Sequence, residues 1–109
     1  MSTDVNAEIL DRLFAVIESR RGADPASSYT AKLLSGGAPK IAKKISEEAA
    51  EVTIAALSEG ADAVTLESAD LLYHLLVMWA AMGVRPEDVY AELARREGIS
   101  GIDEKNSRR

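Results

Sequence analysis

The stretch "ADAVTLESADLLYHLLVMWAAM", residues 61–82, limits the fold more than any other part of the chain. At about 100° per residue on a helix, Leu66, Leu71, Leu72, Tyr73, Leu75, Leu76, Val77 and Trp79 spread around nearly the whole circumference. A surface helix of a small bundle carries a single apolar stripe, whereas a helix apolar all round has to be covered all round. Gly60 and Gly83 mark its ends. Whatever this chain folds into must surround that helix.

The remaining segments are also helical by period. Ile9, Leu10, Leu13, Phe14 and Ile17 recur at helical spacing, which predicts a first amphipathic helix over roughly residues 4–20, broken by "RGADPASS". "SYTAKLLS" predicts a short helix stopped at Gly36-Gly37. Pro39 sits where a first-turn proline belongs, opening a helix that runs to Ser58. "RPEDVYAELARREG" orders its charges as a helix dipole favours, with Glu87 and Asp88 first and Arg95 and Arg96 last. The tail "ISGIDEKNSRR" shows no period, and no segment alternates like a strand. The expected fold is therefore all-α, one domain over residues 1–109 with a flexible tail at 98–109, built as a bundle of four to five helices. Four helices in one chain of 109 residues can hardly enclose the central one, so a second copy is expected to complete the bundle as a homodimer.

Composition removes several classes of function. With no cysteine, there is no disulfide, thiolate metal site or cysteine nucleophile. A net charge of −5 speaks against non-specific binding to nucleic acid or an anionic membrane. The longest apolar run, "LLYHLLVMWAAMGV", has 14 residues and includes a histidine, too short for a membrane span. "MSTDVNAEIL" has no basic segment leading into an apolar one, so no secretion signal is expected and the cytoplasm is the expected location.

The chemistry lies in acids placed among apolar residues. On the helix ending at Ser58, Glu47, Glu48 and Glu51 share one face; on the next, Glu67, Asp70 and His74 fall within about 60° of one another. A short loop makes the two helices antiparallel neighbours, so four or five carboxylates are expected to converge on one cleft. Lys43 and Lys44 precede Glu47 and Glu48 by four residues, the weaker orientation for a helical ion pair. Between residues 61 and 84 no lysine or arginine is available to Glu67 and Asp70. Unpaired carboxylates on an apolar helix are costly or take up protons, and a hard divalent cation with all-oxygen ligands, magnesium or manganese, removes that cost. The bland alternative is a solvated acidic surface.

The pattern E-E-x-x-E, fifteen residues, then E-x-x-D, here "EEAAE" and "ESAD", resembles the signature of the all-α MazG-like nucleoside triphosphate pyrophosphohydrolases. "SYTAKLL", "KIAKKISEEAAEV", "ADLLYHLLV" and "GISGIDEKNSRR", in that order, narrow the resemblance to the phosphoribosyl-ATP pyrophosphatase family over roughly residues 8–109. The resemblance implies magnesium-dependent hydrolysis of phosphoribosyl-ATP, a small anionic nucleotide, to phosphoribosyl-AMP and pyrophosphate in histidine biosynthesis. It implies that Glu48, Glu51, Glu67 and Asp70 hold the metal, with Glu47 as a further ligand or the group that orients the attacking water. Lys43 and Lys44, one turn before the acids, are placed to reach substrate phosphates as point charges or to stand as solvated helix charges, and the resemblance raises Lys32, Ser28, Tyr29, Thr30, Ser100, Gly101, Lys105, Arg108 and Arg109 as further candidates for contact with the substrate. His74 reads as a hydrogen-bonded core histidine before a catalytic base, and Tyr73 and Trp79 as packing groups. The competing functions are a housekeeping nucleoside triphosphate pyrophosphohydrolase with the same metal site, and a non-catalytic dimeric interaction module. A di-iron carboxylate bundle would need Glu-x-x-His pairs, and the one histidine follows Asp70 by four.

Overall fold

A computed structural model describes residues 3–108 of the chain. Five helices follow one another: α1 (Ile9–Ser19), α2 (Tyr29–Ser58), α3 (Ala61–Met82), α4 (Pro86–Arg96) and α5 (Gly101–Ser107). Among the described residues there is no strand, so the fold is all-α.

α2 combines two of the expected helices. Gly37 lies within it at φ 80°, ψ 176°, a region that residues with a Cβ avoid. The backbone kinks there and restarts at Pro39, whose missing N–H is no loss in a first turn. Ser28 begins the whole element by accepting a hydrogen bond from the Ala31 N–H at 3.1 Å. After Ser58 the chain turns through Glu59 and Gly60 directly into α3, which makes α2 and α3 an antiparallel hairpin. α3 ends on Gly83 in the left-handed conformation, as a C-terminal glycine usually does.

Two sequence expectations change. The first helix starts at Ile9, not near residue 4, because Glu8 and the preceding turn take the positions before it. The tail read as aperiodic contains α5, with the Ser100 hydroxyl accepting from the Asp103 N–H at 3.1 Å. The signal was present as Ser-x-x-Asp, an N-terminal capping pattern without an apolar stripe behind it. Arg109 lies outside the described residues.

The core gathers at one end of the hairpin. Ile17 from α1, Leu33 and Ile41 from α2, and Leu76, Val77 and Ala80 from α3 form its buried centre, with Leu10, Leu13, Phe14, Tyr73 and Trp79 packed around it. Burying such aliphatic side chains stabilises by about 1.5 to 3 kcal/mol each. Arg21 fastens α1 by donating to the Ala80 carbonyl at 2.8 Å. The other end is open: Leu57 is 83% exposed and Leu66 70%, while Ile54 and Leu72 are also exposed. The radius of gyration, 15.8 Å, exceeds the roughly 13 Å of a compact domain of this length. In this chain alone the apolar hairpin is covered on one side and at one end only.

Candidate active site

The acidic faces of α2 and α3 meet midway along the hairpin. One carboxylate oxygen each from Glu48, Glu67 and Asp70 lies within 4.8 Å of the others. Glu48 and Glu67 are half-buried and Asp70 is exposed, so the cluster is a cleft open to solvent. Of the four or five expected carboxylates these three come this close; Glu51 is outside the set, and Glu47 lies 3.5 Å from Lys44. Glu51 is nevertheless close enough to act on its neighbour across the hairpin. Partial burial pushes the Glu67 carboxyl above its ordinary value, and the charges of Asp70, Glu51 and Glu48 push it further.

Cations reach only one side of the cluster. Lys44 Nζ lies 3.5 Å from Glu47 Oε2 and 3.9 Å from Glu48 Oε1, bridging two of the three acids of α2. Among the described residues, Glu67 and Asp70 have no ion-pair partner within 4 Å. The paired-lysine alternative therefore accounts for Glu47 and Glu48 but not for Glu51, Glu67 or Asp70. Three convergent oxygens with an upward-shifted carboxyl and no cation on the α3 side are a donor set that fits a hard divalent ion.

Beside the acids stands a small aromatic and hydroxyl group. His74 is 5% exposed and uses both ring nitrogens: Nδ1 lies 2.8 Å from the Asp70 backbone carbonyl and Nε2 3.0 Å from the Tyr29 hydroxyl. Tyr29 stacks against Tyr73 with centroids 6.2 Å apart, and Tyr73 meets the His74 ring edge-on at 5.0 Å. The Thr30 and Tyr73 hydroxyls are hydrogen-bonded to each other. Burial pushes the Tyr29 phenol up, Lys44 opposes this, and Tyr73, Glu48 and Glu47 add to it. Lys44 is itself held above its ordinary value, first by Tyr29 and then by Glu47.

The other candidate residues are spread out. Lys43 and Lys32 are exposed on α2. Lys105 lies on α5 and Arg108 caps its C-terminal end, with Arg108 Nε 2.9 Å from the buried carboxylate of Glu104. Sequence reasoning missed Glu104, which Arg95 also contacts at 2.5 Å and Arg96 at 3.6 Å. Its Glu104–Arg108 spacing of four would have been visible had the tail been read as a helix. The link from Tyr29 to His74, 45 positions apart, left no local signal.

A helical hairpin that gathers carboxylates from facing helices around an open cleft defines the class of all-α nucleotide pyrophosphohydrolases, as the acidic spacing suggested. Within it, the chain belongs to the phosphoribosyl-ATP pyrophosphohydrolase family, whose model matches residues 10–97, and it is accordingly an enzyme. It is 61% identical over 103 residues to the phosphoribosyl-ATP pyrophosphatase of Paramagnetospirillum magneticum, covering 94% of each chain. To the protein of the same name from Rhodospirillum rubrum it is 62% identical over 102 residues, covering 94% of this chain and 87% of the relative. A phosphoribosyl-ATP pyrophosphatase from Granulibacter bethesdensis is 54% identical over 105 residues, 96% of this chain and 66% of the relative. No helix among the described residues is long and apolar enough to cross a membrane.

Proposed function

We propose that the chain hydrolyses phosphoribosyl-ATP to phosphoribosyl-AMP and pyrophosphate with magnesium as its cofactor, manganese serving as a substitute, in cytoplasmic histidine biosynthesis. The observation that carries the reading is the three-carboxylate cluster, Glu48, Glu67 and Asp70, unneutralised on its α3 side. Family membership and the names of its relatives support the substrate.

Glu48, Glu67 and Asp70 would hold the metal, with Glu51 as the adjacent fourth acid. A magnesium ion held there would supply the positive charge that phosphate oxygens and a departing pyrophosphate require. The protein's own residues do the rest. Glu47, at the solvent edge, accepts a hydrogen bond from a water and orients it for in-line attack on the phosphoanhydride. Lys44, already between Glu47 and Glu48, brings a point charge to the incoming phosphates. Lys43, Lys32, Thr30, Lys105 and Arg108 stand further out as contacts for the nucleotide. No covalent intermediate is needed.

The active unit is a homodimer. Ile54, Leu57, Leu66 and Leu72 are exposed on the hairpin, and a large apolar patch on one soluble chain favours a matching copy of itself. A housekeeping activity on other nucleoside triphosphates is the alternative with the same cluster, separable by turnover of a nucleotide panel.

The test is pyrophosphate release from phosphoribosyl-ATP by wild type and Glu48→Gln, each with magnesium and with excess chelator. Release by the wild type that chelator abolishes, and that the variant reduces by about 10²-fold or more, is expected. Release surviving both chelator and substitution would sink the metal site; no release by folded wild type would sink the substrate.

A further inference from the structure

The chain carries a net charge of −5, yet residues 25–46 hold four lysines and no acid. Of these lysines, Lys44 is engaged, its ammonium 3.5 Å from Glu47 and 3.9 Å from Glu48. Lys40 is exposed and, among the described residues, has no ion-pair partner within 4 Å. Its course is nevertheless defined. Gly36 and Lys40 flank the kink at Gly37, and a Cβ on Gly36 would come within 2.6 Å of Lys40 Cδ, 3.4 Å of its Cβ and 3.5 Å of its Cγ. The lysine stem therefore fills the space that Gly36 leaves empty, leaning toward the start of its helix as long side chains do.

Helix geometry places this cation relative to the acids. α2 is regular after the kink, and at about 100° per residue Lys40 stands about 20° from Glu47 and from Glu51 around it, on the face that carries the acids. Along the axis Lys40 precedes Glu48 by eight residues, about 12 Å. The departing pyrophosphate belongs beside the carboxylates, so a cation set back this far meets a different part of the substrate. Phosphoribosyl-ATP has such a part: the phosphate of the ribose added to ATP stands across the adenine from the triphosphate, and ATP lacks it. We infer that Lys40 is a specificity-determining residue that receives this remote phosphomonoester, its stem steered across Gly36 at the kink of α2. The identity of the ligand rests on the phosphoribosyl-ATP reading above, while the place of the cation rests on the kink alone.

Three variants and two nucleotides separate the roles. Lys40→Met keeps the stem and removes the charge, while Lys40→Arg keeps the charge. Gly36→Ala leaves the charge but fills the space under the stem; only the flexible Cδ end has to move, and alanine favours a helix over glycine, so stability should not fall. Loss of a phosphate contact made equally in ground and transition state raises KM and leaves kcat nearly unchanged. For phosphoribosyl-ATP the expected rise is about 3- to 10-fold in Lys40→Met at low salt, the scale of one hydrogen bond. Gly36→Ala should move KM in the same direction, and Lys40→Arg should retain most of the affinity. Competitive inhibition by ATP, which lacks the remote phosphate, should be the same in all of them. A lysine serving the triphosphate would weaken ATP to the same degree, and a merely solvated one would change neither nucleotide; either result overturns the inference.

A second readout needs no turnover. Ribose 5-phosphate titrated into the metal-free protein should shift the amide resonances of Gly36, Gly37 and Lys40, and the shifts should disappear in Lys40→Met. Silence at these three amides in the wild type would refute the assignment even if pyrophosphate release proceeds. Shifts at these amides in a wild type that releases no pyrophosphate from phosphoribosyl-ATP would instead count against the hydrolytic reading and leave the sugar-phosphate site standing.

Discussion

Residues on this hairpin carry different loads according to whether they face the core, the cleft or a neighbour. Ile41 is fully buried among side chains from three helices, and truncation leaves a cavity that the packed neighbours close only in part. Ile41→Ala should lower stability by about 2 to 5 kcal/mol, read from the midpoint of chemical denaturation. Glu67 behaves in the opposite sense: half-buried beside three other acids, it is destabilising as a charge. Glu67→Gln should therefore leave the metal-free protein as stable or slightly more stable while weakening magnesium binding, a pair of effects that thermal melts with and without the ion would resolve. A melt that falls without metal would mean that the carboxylate is a structural partner. The acids were legible in the sequence because their spacing repeats with the helix and because no basic residue stands near two of them. Which three oxygens come within 4.8 Å was not legible, since that depends on the axial register of α3 against α2.

At the level of elements, two features are held by means other than apolar packing. The kink in α2 depends on Gly37, and a Cβ there would meet nothing closer than Pro39 Cδ at 3.8 Å, so the penalty of Gly37→Ala is in the backbone. It should amount to about 1 to 3 kcal/mol and be visible in denaturation. The last helix, α5, exposes Ile102 and buries only Glu104, whose carboxylate faces Arg95 and Arg96 from α4 and Arg108 from its own turn. Arg95 and Arg96 also pair with Glu92, which completes the group. Hydrogen bonds from Arg95 hold both carboxyls below the ordinary 4.5, Glu92 at about 2. A depressed carboxylate contributes stability that is present above the ordinary value and lost as pH falls through the folded one. Docking of α5 should thus be complete at neutral pH and weaken below about pH 4.5, with Glu92 the last to protonate near pH 2. Amide exchange would show protection in Gly101–Ser107 falling with acid, and falling at pH 7 in Glu104→Gln, while α3 stays protected. Equal loss in α3 would mean that α5 and the core unfold together. Read by period alone the tail was featureless, because a helix bound by ions has no apolar stripe to display.

For the molecule as a whole, the decisive fact is that one chain leaves much of its hairpin uncovered. A radius of gyration of 15.8 Å describes an open arrangement, and Leu57 and Leu66 stand in solvent where a bundle would have its interior. Light scattering should give twice the 11.7 kDa chain mass, and a Leu57→Glu, Leu66→Glu double variant should give a single chain at the same concentration. A single-chain mass for the wild type would defeat the dimer. The all-α class, the hairpin, the helix ends at Gly60 and Gly83, and the presence of a carboxylate site were decided by the sequence itself, because period, caps and the choice of charged residue are local properties. Other features came only from tertiary structure: the three acids that meet, the imidazole joined to a phenol 45 positions away, the arginine pocket around Glu104, and the side of the hairpin left open. Each of these depends on how far one helix slides or turns against another, and that is set by the summed packing of Ile17, Leu33, Ile41, Leu76 and Val77 rather than by any short stretch of chain.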